Sequence, residues 1–373
     1  MAFHASTLRS AVIPRPEPPS TYPSRPSVSI VMKLRRKSSI VRGRGIGSVY
    51  RSTRPFAGAQ AALVIAMAGV CEHGHDGQEA ADFSELIGSE EPGRDTDAAI
   101  SEIARCLTGP SERRDASHCA LIVAMAADEP DASSLESARW IARRLGADDL
   151  TMRDVEASAH ANAARAEADL FRRFLVWRTG AREDLIRDRL AAGLPAVPTP
   201  PESVERLRRL LGEAREGTVG GELARFYAQT GYDLPGSPGT LPLAVLGGHD
   251  VHHILAGYDA STQDEVYLAG FEAANAADGG AEYLAVMMLQ WHQGIKISVF
   301  PPNHAPLNPA AFASAVERGS QTTVDLSDRS WDWQSLLAVP LEEARGDLGI
   351  PAGGSVAPGG TWDARHHWPA GAR

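Results

Sequence analysis

The sequence predicts an all-α protein. Apolar residues recur at helical spacing through most of the chain. Nothing alternates at period two for long. Glycines and prolines punctuate stretches of ordinary helix length. The expected layout is two helical domains joined by a proline-rich linker, with disordered ends. A basic tail covers 1–60, a first helical domain 61–190, a second 203–350, and a flexible tail 351–373.

The chain has 373 residues, of which 43% are apolar, enough for a substantial core. No window approaches the ~18 consecutive apolar residues of a transmembrane helix. Cys71, Cys106 and Cys119 are too few and too irregularly spaced for a disulfide framework or a cysteine zinc site, so a reducing compartment is expected. Residues 1–60 hold eleven Lys or Arg against Glu17 alone, a charge of +10. With a net charge of -10 for the chain, residues 61–373 carry -20. An acidic body of that size excludes nucleic acid as the main partner.

Taken in order, the basic tail is rich in Pro, Ser and Arg and reads as a disordered extension. Its composition is also that of an organelle transit peptide, and Lys33–Lys37 offers a weak tether to anionic membrane. Ala62–Ala68 then recurs as Ala120–Ala126, each copy followed by an acidic loop and an amphipathic helix, near Phe83–Ile87 and at Ser137–Leu145. This is the pattern of two helical hairpins in a pseudo-symmetric pair. The acidic loops have the oxygen ligands calcium takes, and equally the acids that solvated helix N-termini favour. Cys71-Glu72-His73-Gly74-His75-Asp76 crowds five potential ligands into six residues, but no second cluster follows at metal-site spacing. Residues 151–190 are strongly helical, interrupted only by Gly180. Pro195, Pro198, Pro200 and Pro201 then mark the linker.

Beyond the linker, helices are expected at Glu202–Leu211, Gly221–Thr230, Leu241–Tyr258, Asp264–Ala277, Ala281–His292, Pro309–Glu317 and Ser335–Leu348, with a short extended stretch at Ile295–Phe300. The third carries His249, Asp250, His252 and His253, and the fourth opens with Glu265. Residues four apart on a helix lie about 40° apart around its axis, so His249 and His253 share a face. Asp250 lies nearby, and Glu265 returns on the next helix after the turn Gly257–Thr262. Two imidazoles and two carboxylates can bind one divalent metal ion, with zinc preferred and iron or manganese also suited. His252 points away and is expected in a supporting role. The alternative is a polar helix face near a cap. Leu284, Met287, Met288 and Trp291 form a stripe that is either ordinary core or the lining of an apolar channel.

Two resemblances emerge. Residues 61–180 look like a tellurite-resistance protein B (TerB)-like helical domain, through Ala-rich helices followed by short acidic turns. Asp76-Gly77 fits that pattern, while Asp128-Glu129-Pro130-Asp131 departs from it. The more specific match is HDxxH, eleven residues, then Glu, at His249, Asp250, His253 and Glu265. It resembles the motif of the Coq-four family of ubiquinone (coenzyme Q) biosynthesis proteins. Gly217–Leu223, Gly257, Trp331-Asp332-Trp333 and Pro340–Arg345 extend the likeness over about 203–350.

That resemblance implies an α-helical protein holding one metal ion at those four residues. It implies action on the prenylated aromatic head group of a quinone precursor, including oxidative removal of the ring carboxylate in favour of hydroxyl. The implied partners are other quinone-biosynthesis proteins and the membrane surface, from a cytoplasmic, peripheral location. Homo-oligomerisation is left open. The extra N-terminal helical domain departs from the family layout. Two further readings stand beside it: a non-catalytic scaffold or prenyl-lipid-binding protein with a structural metal, and a stress-response module led by the TerB-like domain.

Overall fold

A computed structural model describes residues 109–126, 132–159, 163–277, 279–297 and 302–362. The basic tail, the first copy of the repeat, the Cys71–Asp76 cluster and the acidic loop at 128–131 lie outside the described residues. Those described are helical, as expected, with a lone β-bridge between Thr218 and Pro340 and no strand among them.

The first five helices are α1 (Pro110–Met125), α2 (Ala132–Leu145), α3 (Leu150–Ala159), α4 (Ala163–Thr179) and α5 (Glu183–Ala191). The helical run 151–190 is thus divided. Gly180, at φ 67°, ends α4 in the left-handed region that glycine enters at little cost. Residues 193–200 cross to α6 (Pro201–Gly212), which opens on a proline whose missing N–H costs a helix nothing at its first turn.

After α6 come α7 (Val219–Thr230), α8 (Leu243–Ala256), α9 (Thr262–Asn275) and α10 (Gly280–Met287). A π-helical turn, Met288–His292, extends α10. It is followed by α11 (Pro309–Gln321), a 3-10 turn at Trp333–Ala338, and α12 (Leu341–Leu348). The expected single helix over Ser335–Leu348 is therefore two pieces. Pro340 pushes Val339 into extended backbone, ψ 138°, which a helix cannot contain. The interrupted backbone finds other partners: Val219 N–H donates to Val339 at 2.9 Å, and Leu341 N–H donates to Gly217 at 2.9 Å.

Local chemistry sets the ends of the two central helices. Gly257, at φ 72°, terminates α8 and donates back to His253 at 2.8 Å. Four residues later the Ser261 side chain caps α9 by accepting from Asp264 N–H at 3.2 Å. This short turn brings α9 back beside α8. α9 in turn packs closely on α11, because Gly270 and Gly319 have no side chains. A Cβ on Gly319 would lie 2.0 Å from the Phe271 carbonyl oxygen.

The buried apolar residues form one cluster running from Ala120 to Trp362. α10 packs against α1, α3 and α4, and α8 packs against α4, so the helices before and after the linker share this core. Leu284, Met288 and Trp291 belong to it, and Met287 packs half-buried against it. The stripe is thus helix core. No described helix is long and apolar enough to cross a membrane.

Candidate metal centre

α8 presents His249 and His253 one turn apart, and α9 brings Glu265 against both. One ligand atom from each of the three lies within 4.8 Å of the other two. Glu265 Oε2 is 3.2 Å from His249 Nε2, and its Oε1 is 3.4 Å from His253 Nε2. A tetrahedral zinc site with bonds of roughly 2.0–2.1 Å has ligand-to-ligand edges of about 3.3 Å, so both spacings suit such an ion.

The tautomers decide what this triangle needs. Nδ1 of His253 lies 2.9 Å from the Tyr258 carbonyl oxygen, which can only accept, so Nδ1 carries hydrogen. Nδ1 of His249 lies 3.2 Å from both oxygens of the Glu272 carboxylate, which again only accepts. In neutral rings both Nε2 atoms are therefore lone pairs facing the Glu265 carboxylate. Acceptors facing acceptors repel unless a positive charge lies between them. Either added protons or a cation can supply it. A neutral imidazole with Nδ1–H held by a carbonyl or carboxylate is also the arrangement that orients histidine on a metal.

The electrostatics agree. Burial opposes a charged His249, yet Glu272 and Glu265 hold its pKa well above the ordinary 6.5. His253 is raised in the same way: Glu265 outweighs burial. Burial also opposes ionisation of Glu265, but the two imidazoles hold its carboxyl far below the usual carboxylate range. The His249 and Glu265 side chains are 12% and 13% exposed, against 2% for His253, so the triangle reaches solvent along one edge.

Asp250, expected as a fourth ligand, stands outside this set. It is buried and accepts a hydrogen bond from the Tyr227 hydroxyl at 2.5 Å. Burial pushes its carboxyl up, against the pull of His249 and the Tyr227 bond.

Glu272 was not anticipated. It lies two turns beyond Glu265 on α9, buried on the same face, and no sequence motif marks it. Besides His249 it accepts from His252 Nδ1 and from the Tyr283 hydroxyl on α10. Burial opposes its charge, but His249 and His252 hold its pKa well below the ordinary value. The seven-residue spacing from Glu265 was the available signal. His252 takes the supporting place expected of it: its ring stacks on Trp331 at 5.2 Å, and its Nε2 is buried without a partner.

The surroundings draw on distant parts of the chain. Phe226 of α7 stacks on His253 at 5.4 Å, and Trp362 meets Phe226 edge-on. Phe174 and Trp177 of α4 stack on Tyr283 at 5.5 and 5.8 Å. Arg178 of α4 donates to the Val245 carbonyl on α8 at 3.2 Å. Trp333 lies so close to Gly247 that a Cβ there would come within 2.6 Å of its ring. Comparison with protein-family models, with curated proteins and with solved structures returned no match for the chain.

Proposed function

We propose that the chain holds one divalent metal ion at His249, His253 and Glu265, zinc being the best fit, and acts on the prenylated aromatic head group of a ubiquinone precursor. The reaction class is oxidative decarboxylation or hydroxylation of the ring. The observation that carries the metal is the pair of Nε2 lone pairs aimed at the Glu265 carboxylate. The likeness of HDxxH and its following Glu to the Coq-four motif carries the substrate class.

Three protein ligands suit a catalytic zinc, because such sites keep a position for water or substrate, and the exposed edge of His249 and Glu265 gives access to it. When bound, the ion supplies Lewis-acid character that lowers the pKa of a ring hydroxyl. The chain's own residues do the positioning. Glu272 and the Tyr258 carbonyl fix the two imidazoles through Nδ1, and Phe226 holds the His253 ring in plane. A prenyl tail partitions into lipid, so the protein would work at a membrane surface, beside other enzymes of the pathway.

A second reading is a structural ion in a scaffold or prenyl-lipid-binding protein. It draws on Asp250, which sits next to His249 and within electrostatic reach of all three ligands. Its carboxylate, as a fourth ligand, would close the site.

The test is metal analysis of the purified full-length protein, of His253→Ala and of Glu265→Ala, with quinone extracts from cells producing each. We expect both variants to lose the ion and to accumulate a ring-carboxylated precursor. Equal metal content in all three proteins would remove the site. Metal loss with unchanged quinones would remove the pathway and leave a structural ion.

A further inference from the structure

A second group of metal-type ligands lies away from the centre described above. His118 comes from the middle of α1, Asp149 from the turn between α2 and α3, and Glu282 from the first turn of α10. One ligand atom from each lies within 4.8 Å of the other two. We propose that these three residues form a second divalent-cation site, of the borderline kind that zinc or manganese fills, tying α10 to the N-terminal helices.

Among the described residues, the group sets one imidazole against two carboxylates. His118 is 5% exposed, and its Nε2 lies 2.7 Å from Asp149 Oδ2. Even fully protonated, the imidazole carries one positive charge against two carboxylates. Asp149 is committed to the site, because its Oδ1 also accepts from Met152 N–H at 3.1 Å at the start of α3. Glu282 is half-buried, and no hydrogen bond or ion pair engages its carboxylate among the described residues. Its carboxylate stands beside the His–Asp pair, so a cation can join the three without displacing a partner of Glu282. One imidazole and two carboxylates make a mixed N and O set suited to zinc or manganese, and water can fill the remaining positions on the open side.

The placement links the two halves of the fold. Glu282 precedes Tyr283, whose hydroxyl donates to Glu272 at the first centre. One turn of α10 therefore carries a ligand of this site and a support of the other. The N-terminal helices, which the Coq-four likeness does not cover, would then act as a clamp on α10.

The experiment is zinc stoichiometry of the full chain by equilibrium dialysis and elemental analysis, on the wild type, His253→Ala, Glu282→Gln, His118→Ala and the His253→Ala/Glu282→Gln double variant. The wild type should take up two equivalents and His253→Ala one. Glu282→Gln should weaken one equivalent at least tenfold and leave the other unchanged. The double variant should hold neither tightly. Glu282 is half-buried and has no hydrogen-bond or ion-pair partner among the described residues, so its variant should keep the wild-type circular dichroism even if His118→Ala fails to fold. A single wild-type equivalent lost in His253→Ala and unchanged in Glu282→Gln overturns the proposal. So do two equivalents that both ignore Glu282→Gln. A single equivalent that survives His253→Ala but fails in Glu282→Gln supports this site and removes the other.

Discussion

Replacing Glu272 with glutamine preserves the shape of the most buried carboxylate at the centre and removes its charge. The ionised group takes hydrogen bonds from three donors: His249 Nδ1, His252 Nδ1 and the Tyr283 hydroxyl. A glutamine offers one acceptor oxygen and turns an NH2 toward the remaining donors. Its side chain is 3% exposed, so water cannot make up the loss. Removing the outer partner of a metal-bound histidine typically costs 10–100-fold in metal affinity. That corresponds to about 1.4–2.7 kcal/mol. The metal-free protein should also lose about 1–3 kcal/mol, the usual cost of leaving buried donors unpaired. Chelator-competition titration with zinc measures the first effect, and urea unfolding in EDTA the second. Wild-type zinc affinity together with wild-type stability in Glu272→Gln would refute the reasoning, since neither orientation of His249 nor satisfaction of its donors could then depend on this carboxylate.

Acidity offers a second test, because protons and metal compete for the same atoms. His249 and His253 are raised above 6.5, so their protonation stabilises the metal-free fold fully below pH 6.5, and that contribution is lost as pH rises through the raised values. Glu265 and Glu272 are held below 4.5; they contribute above that pH and lose their contribution as it falls through the lowered values. His252, pushed below 6.5 by burial, opposes the other two imidazoles in acid. Melting temperature in EDTA should therefore fall as pH rises above 6.5. In saturating zinc it should rise over the same range, because both Nε2 atoms must be unprotonated to bind. Identical slopes in the two conditions would exclude a cation at this site. In a third test, Tyr227→Phe leaves buried Asp250 without its hydroxyl partner and should cost about 1.5–3 kcal/mol, read by thermal unfolding. Metal content should not change, unless Asp250 is itself a ligand.

The helices and their approximate ends were legible because periodicity, capping residues and glycines act over a few positions. Ser261 and Gly257 set the turn between α8 and α9 as local chemistry dictates. The split at Pro340 was equally local, since the residue before a proline avoids helical backbone. The pairing of His249 with His253 followed from one turn of helix, and Glu265 was within reach because the connection is short. Leu284, Met288 and Trp291 were ambiguous: the same apolar spacing serves a core or a channel, and only neighbouring helices decide.

What the chain's letters determine is which atoms can share a helix face: two imidazoles one turn apart, and a carboxylate carried back by a five-residue turn. Packing decided the rest. It set Asp250 against Tyr227, twenty-three residues away, and stationed Glu272 behind His249 and His252. It also brought α4 against Tyr283 and Val245 across the proline-rich linker. Hydrogen-bond partners are chosen by distance in space, and a helical pattern fixes such distances only within its own helix. Once a site is shared between helices, the charge each side chain carries depends on neighbours that no local spacing specifies.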